Sequence, residues 1–526
     1  MVYRKRSGKI KRGSLLYGCV LAAVVCLFLT ATECFANNLS VSDTSLTGPS
    51  ASAKTIKIQF DISWSNSWRN SVNYDAVWVF AKYKIVGDSN WYHVNLKTTG
   101  TTQTNPSGYS RGSGTAIDIV APVNADDSMC YGCFIQRSGP GIGSVSTTSI
   151  QLVWDWGPTG NDLDAADTID EIKVYGIEMV YIPSAVFSAG DNATGTAAFK
   201  QGSADNDPWS VTSEDAISVT AGASDGYYYV SGGNSGEDAS GSVFTIPAAF
   251  PKGYSAFYVM KHEISQGQYT DFLNMLTSLQ AANRFPNQNG NNRHTITGSH
   301  PNHSTTRSDR ACNYLSWMDV AAYADWAGLR PMTELEYEKI CRGTNAAVSG
   351  EYAWGSTSVT AAVTISGTEN GAETITTSGA NCCYNNQTFT DGDGGTGPLR
   401  CGIFATSISI RATSGGAYYG PMEFSGNCEE RVVTVGSATG RVYTGTHGDG
   451  TLTLTASYEG NATNSDWPGI DATPANGVSG AAGSGGRGGE WNGANTLLRV
   501  SDRTNGAAAQ STRTSTGGGR LARAAS

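Results

Sequence analysis

The chain has 526 residues, of which 15% are charged, and acidic side chains outnumber basic ones by 45 to 35. An acidic chain without a basic block lacks the cations that hold a phosphate backbone, so nucleic acid is excluded as a partner class. The length predicts two or more domains. The 64 glycines favour strands, turns and long loops over helices.

Residues 1–36 have the composition of a secretory signal peptide. A basic segment with six Lys and Arg residues precedes an apolar run from Leu15 to Thr30, and Ala36 offers a small residue for cleavage. A membrane anchor is the alternative, but the run is short for a span of about 20 residues. We predict cleavage, no membrane span in the mature chain, and a secreted, periplasmic or cell-surface location.

Residues 37–177 are predicted to form a small all-β sandwich. TIKIQFDISW (55–64) alternates apolar and polar residues, and SIQLVWDWG (149–157) and EIKVYGIEMVYI (171–182) do the same. The tryptophans of this region are predicted to fill its core, with a sugar-binding platform as the alternative. They are Trp64, Trp68, Trp78 and Trp91.

The part from 178 to 526 adds helices to a strand-rich chain. Ser265, Ser316 and Thr333 each precede a Gln, Asp or Glu by three residues, which predicts three capped helices. Gly328 and Gly343 supply stop signals for the second and third of them. This region is therefore predicted to be an α+β domain.

Eight cysteines follow residue 36, and their spacing does not show whether they form disulfides or remain free thiols. Pairing of some of them is one alternative in an exported chain, and idle thiols are the other. Three histidines, His294, His300 and His303, lie close together in sequence. A zinc site would need further ligands nearby, so a polar surface loop is the preferred interpretation.

Five blocks resemble, in order, the formylglycine-generating enzyme (sulfatase-modifying factor) family. They are MVYIPSAVFSAG (179–190), GYSAFYVMKHEISQGQYTDFLN (253–274), LSWMDVAAYADWAGLRPMTELEYEKICRG (315–343), EFSGNCEE (423–430) and GGRGGEW with LRVSDR (485–503). The resemblance covers 178–526, and residues 37–177 lie outside it.

The resemblance implies an irregular α+β domain similar to a C-type lectin, preceded here by the sandwich. Family enzymes oxidise a sulfatase cysteine to formylglycine with dioxygen and copper, and two cysteines hold the copper. Aligning LRVSDR with the family block places that pair near Gly493 and Asn495, and a further cysteine near Val500. None of the three has a thiolate, the ligand that copper(I) prefers. We therefore predict no catalytic residues and no copper.

Calcium is the cofactor that the resemblance implies. The family's ligands map onto the side chains of Glu423 and Glu430 and the carbonyls of Gly426 and Cys428. Glu429 and Arg431 replace family tryptophans beside this site. A second family site maps onto Asn381 and the carbonyl of Cys382.

Two functions from different classes follow from the sequence. The first is an exported, calcium-stabilised binding or structural module whose partner is a protein or a glycan. The second is a formylglycine-generating oxidase acting on a sulfatase cysteine, by analogy with the family alone. We prefer the first, because the oxidase cysteine pair is missing. A chaperone that binds the sulfatase peptide without oxidising it is a third, weaker alternative.

Overall fold

A computed structural model of the chain describes residues 38–157, 168–192, 195–203, 207–222 and 226–525. The predicted signal peptide lies outside the described residues. Strands form most of the regular structure, and the longest precede residue 183. These are β1 (Ser40–Ser50), β2 (Thr55–Arg69), β3 (Asp75–Ile85), β4 (Trp91–His93), β5 (Gln103–Thr104), β6 (Ser113–Gly114), β7 (Ile117–Ala121), β8 (Cys133–Arg137), β9 (Gly141–Asp155) and β10 (Ile169–Ile182).

The strands after residue 182 are short, with two to four residues each. They are β11 (Phe187–Ala189), β12 (Lys200–Gln201), β13 (Trp209–Val211), β14 (Ile217–Thr220), β15 (Tyr227–Tyr228), β16 (Phe244–Ile246), β17 (Phe257–Met260), β18 (Arg330–Pro331), β19 (Ile365–Ser366), β20 (Thr374–Ile375), β21 (Glu430–Val433), β22 (Ser484–Arg487) and β23 (Leu521–Ala524). Long loops connect them, as the glycine content predicts.

The helices are short and lie between β17 and β22. They are α1 (Gln266–Asn274), α2 (Ser278–Arg284), α3 (Trp317–Trp326), α4 (Glu334–Arg342), α5 (Arg411–Ser414) and α6 (Ala438–Arg441). The three predicted capping boxes, at Ser265, Ser316 and Thr333, are confirmed. Gly328 and Gly343 follow α3 and α4 at φ values of 68° and 63°, which glycine adopts without strain.

Two antiparallel sheets dominate the fold. One has four strands in the order β1-β2-β9-β6. The other has nine strands in the order β18-β23-β17-β10-β3-β8-β7-β5, with β4 also paired to β3. The shorter pairs β11-β13, β19-β20 and β21-β22 and the four-stranded sheet β12-β15-β14-β16 complete the topology.

Strand β3 is buried on both of its faces. Val77 and Val79 belong to the apolar cluster that the two large sheets share, whereas Trp78 and Phe80 point into the cluster formed with α1 and α3. Side chains on successive strand residues point to opposite faces, so one strand serves both clusters. Trp64 lies in the cluster between the two large sheets, as predicted. The prediction was wrong for the other three tryptophans: Trp78 is fully buried in the cluster with α1 and α3, and Trp68 and Trp91 are only partly buried.

Strand β10 crosses the predicted boundary between residues 177 and 178. Its residue Ile177 pairs with Trp78 of β3, and Met179 pairs with Met260 of β17. The nine-stranded sheet is therefore continuous across this position. The division into domains at 177 remains a prediction.

The described chain is mostly β with few helices, which is consistent with the expected family domain. None of its described helices is both long and apolar enough to cross a membrane.

Candidate functional site

The glycine-rich block near the C-terminus lies against the EFSGNCEE block. Strand β22 pairs antiparallel with β21, and Arg487 stands opposite Glu430. A 3₁₀ turn, Asn495–Leu498, follows β22. The two blocks that carry the resemblance are thus neighbours in space.

The three positions onto which the resemblance maps the family cysteines have different environments. Asn495 is exposed at the start of the 3₁₀ turn, whereas Gly493 and Val500 are buried. The Gly493 amide donates to the Glu490 carbonyl at 2.9 Å, and its carbonyl accepts from the Asn385 amide at 2.9 Å. The backbone at Gly493 is therefore held by hydrogen bonds on both sides.

Glu490 lies beside this position and was not identified from the sequence. A Cβ atom added to Gly493 would lie 3.3 Å from the carboxyl carbon of Glu490. Burial raises the pKa of Glu490 to about 7, and the nearby carboxylate of Glu429 adds to the shift. The space beside Gly493 thus holds a carboxyl group.

Two arginines of the C-terminal block belong to a buried ion network. Arg503 donates to Glu334 from Nε at 2.7 Å and from Nη2 at 3.0 Å, and Arg487 donates to the same carboxylate at 3.0 Å. All three side chains are fully buried. LRVSDR therefore holds helix α4 in place through Arg503.

Three buried carboxylates gather around the EFSGNCEE block. Glu263, another residue not singled out from the sequence, accepts hydrogen bonds from the Asn427 side chain and from the Cys428 amide. Burial raises the pKa of Glu263, and the Glu430 and Glu423 carboxylates raise it further. Burial also raises the pKa of Glu430 to about 8, although Arg520 opposes the shift.

A comparison with protein families identifies the domain. Residues 212–525 match the model of the sulfatase-modifying factor enzyme 1-like domain. The chain belongs to this family. No curated protein matches the chain.

The residues at the three mapped positions do not fit the copper that the resemblance implies. Gly493, Asn495 and Val500 carry no sulfur, and copper(I) is held by thiolates. The eight cysteines of the described chain are all buried free thiols. Burial raises the pKa of Cys130 and of Cys383 to about 12, which keeps these sulfurs protonated at neutral pH.

The first implied calcium site has one feature that fits a cation. Oxygen Oε2 of Glu430 is buried and has no hydrogen-bond partner within the described chain. It faces Gly488, where an added Cβ would lie 2.7 Å from Oε2 and 3.0 Å from the Phe424 carbonyl oxygen. An unpaired buried carboxylate oxygen is costly unless a cation or proton compensates it.

The other ligands implied at this site differ in how free they are to bind a cation. No described backbone amide donates to the carbonyls of Gly426 and Cys428. The carboxylate of Glu423, however, accepts from the Gly402 amide at 2.7 Å and lies 3.3 Å from Nδ1 of His262. Across the described ranges, no three His, Cys, Asp or Glu side chains converge as metal ligands. Carbonyl ligands would have to supply most of the coordination.

The residues of the second implied site are committed to the fold. The Asn381 side chain donates to the Ala412 carbonyl at 2.9 Å and accepts from the Thr360 amide at 3.0 Å. The Cys382 carbonyl accepts from the Ala362 amide at 2.9 Å. These contacts connect loops and leave fewer lone pairs for a metal ion.

The prediction of a surface loop was wrong for two of the three histidines. His294 is fully buried, and its Nδ1 lies 2.9 Å from the Asn313 side-chain oxygen. His303 is also buried, whereas His300 is partly exposed. The polar sequence around them hid this burial, because the contacts come from residues distant in the chain.

Proposed function

We propose that this chain is an exported binding or structural module built on a sulfatase-modifying-factor domain that does not oxidise cysteine. In that sense it is a pseudoenzyme. The observation that carries the proposal is the chemistry at Gly493 and Asn495, which have no thiol to hold copper(I). Glu490 lies beside this position, and a carboxyl group is a hard ligand that suits copper(I) poorly.

The proposal includes a domain organisation. We assign residues 1–36 to a cleaved signal peptide, 37–177 to a β-sandwich and 178–526 to a C-type-lectin-like domain. The apolar cluster shared by the two large sheets supports the sandwich. The short strands and long loops after residue 182 support the irregular second domain. The composition of residues 1–36 supports export to the periplasm, cell surface or medium.

Calcium is proposed as a structural ion at the EFSGNCEE block. The unpartnered oxygen of Glu430 and the carbonyls of Gly426 and Cys428 are the ligands that support it. When bound, the ion would neutralise charge among the buried carboxylates of Glu263, Glu423 and Glu430. Asn381 and Cys382 form the weaker second site, because both already accept hydrogen bonds.

A protein or glycan is the proposed ligand class. Loops held on a rigid scaffold are the usual place for such recognition. The loop between Cys401 and Cys428 exposes Ile408 and Ile410, whose side chains are 89% and 68% accessible. Exposed large apolar side chains on one loop support a contact role.

The proposal is tested by incubating the purified chain with copper(I), dioxygen, a reductant and a cysteine-containing sulfatase peptide. The peptide mass should remain unchanged, while a working family enzyme converts the same peptide in parallel. Conversion to formylglycine would contradict the proposal and establish the oxidase instead.

A further inference from the structure

Cys401 and Cys428 form a small cluster of their own within the protein. Together with Ala311 they make up a buried apolar group that contains no other described side chain. Their side chains are 1% and 0% exposed. Two thiols from segments 27 positions apart in sequence are thus enclosed in the same place.

Both cysteines are held against the same residue, Glu263. The Cys401 sulfur lies 3.7 Å from the Glu263 carbonyl oxygen, and the Cys428 amide donates to the Glu263 carboxylate at 2.7 Å. The Cys401 amide also donates to the Asp309 carbonyl at 3.0 Å. Hydrogen bonds therefore hold both backbones in the folded, reduced chain.

One side of Cys428 is closed by the backbone at Gly518. A Cβ atom added to Gly518 would lie 2.5 Å from the Cys428 Cβ and 3.5 Å from its sulfur. The Cys428 side chain therefore has little room on the Gly518 side. The other two members of the apolar cluster around Cys428 are Ala311 and Cys401.

The remaining thiols have other surroundings. The Cys382 sulfur donates to the Ser425 carbonyl at 3.0 Å, and the Cys383 sulfur lies 3.7 Å from the Gly397 carbonyl. These adjacent cysteines thus have different hydrogen-bond acceptors. Cys341 lies in another apolar cluster. Cys312 raises the pKa of Cys428 at least as much as Cys401 does, so it is the competitor for a bond. Its sulfur, however, lies 3.7 Å from the Asn313 carbonyl oxygen, and Cys312 belongs to the cluster formed with α1 and α3.

We propose that Cys401 and Cys428 form a disulfide when the chain folds under oxidising conditions. The two thiols lose two protons and two electrons as the Sγ–Sγ bond forms. A disulfide of glutathione or of a thiol oxidoreductase accepts both and becomes two thiols. The bond would fasten the base of the loop that exposes Ile408 and Ile410. The inference rests on the proposed export only for the source of the oxidant.

Burial determines when the bond can form. Burial and the Glu263 carboxylate raise the pKa of both thiols, and exchange requires an accessible thiolate. Oxidation must therefore happen during folding, before the cluster closes. A chain that has already folded in its reduced form should keep both thiols, even when oxidant is added later.

The experiment is a refolding of the reduced, denatured full-length chain in a glutathione redox buffer. Free thiols are then blocked with N-ethylmaleimide, and the digest is analysed without reduction. We expect the peptides containing Cys401 and Cys428 to be joined, with a mass two hydrogen atoms below their sum. Blocking of both thiols, or linkage of either one to Cys312 or another cysteine, would overturn the proposal.

The wild-type chain provides a second readout that needs no substitution. Its thermal midpoint should be higher after oxidative than after reductive refolding, because a cross-link restricts the unfolded chain. Cys401→Ala should abolish this difference, whereas the control Cys341→Ala should retain both the difference and the linkage. An equal midpoint for the two wild-type preparations would also overturn the proposal. Because these experiments are done in vitro, failure of export would not affect them.

Discussion

Arg503→Met tests whether the C-terminal block stabilises the fold through its buried charges. The network around Arg503 contains three carboxylates and three guanidiniums: Glu334, Glu338, Glu351, Arg342, Arg487 and Arg503. The substitution removes both hydrogen bonds from Arg503 to Glu334 and leaves a fully buried carboxylate with one guanidinium fewer. Removing one partner of a buried pair costs about 3–5 kcal/mol. Glu334 retains Arg487, so we expect the lower end, about 3 kcal/mol.

Equilibrium unfolding in urea, followed by tryptophan fluorescence, measures this loss. Arg111→Met is the matched control: Arg111 is 55% exposed and lies 3.6 Å from Asp118, so its loss should cost about 0–1 kcal/mol. A midpoint for Arg503→Met equal to that of the control would refute the reasoning.

Three further predictions concern other parts of the molecule. Burial lowers the pKa of His294 to about 4, so the contribution of this residue to stability is full above pH 6.5 and is lost as the pH falls towards 4. His294→Gln should therefore flatten the curve of unfolding free energy against pH in this range. An unchanged slope would contradict the assignment. Trp78→Ala deletes a fully buried ring that donates to the Ala327 carbonyl at 2.8 Å, so it should lower the free energy of unfolding by about 3–5 kcal/mol. Fluorescence and circular dichroism should report a single unfolding transition. Two separate transitions would contradict a sheet that unfolds cooperatively. The thermal midpoint of unfolding should be higher with calcium than with a calcium chelator, and Glu430→Gln should remove that difference. If the variant showed the same difference as the wild type, the ion would bind elsewhere.

Local signals in the sequence predicted the helices well. Ser265, Ser316 and Thr333 sit three residues before their capping partners, and this information is contained in a few adjacent positions. The same signal at Thr277 and Gln280 begins α2, a helix that was not among those predicted. Alternation in TIKIQFDISW also identified the buried face of β2, where Ile58, Phe60 and Ile62 point inwards.

Features that depend on distant contacts were not predictable in this way. Glu263 is buried beside residues more than 160 positions away, and no local pattern distinguishes it from an exposed acid. His294 lies in a polar stretch and is nevertheless fully buried. The pairing of Glu334 with Arg503 spans 169 positions. Only the fold brings these groups together, so only the structure reveals their altered acidity.

A titration with copper(I) tests the central claim, the lack of a thiol site for copper, most directly. The native chain should compete for copper(I) with a colorimetric chelator, beside a family enzyme that retains its cysteine pair. Because the described thiols are buried and Gly493 and Asn495 carry no sulfur, we predict that the chelator keeps its copper. Retention of one equivalent of copper by the chain, lost in Cys401→Ser with Cys428→Ser, would contradict the account and reveal a relocated site.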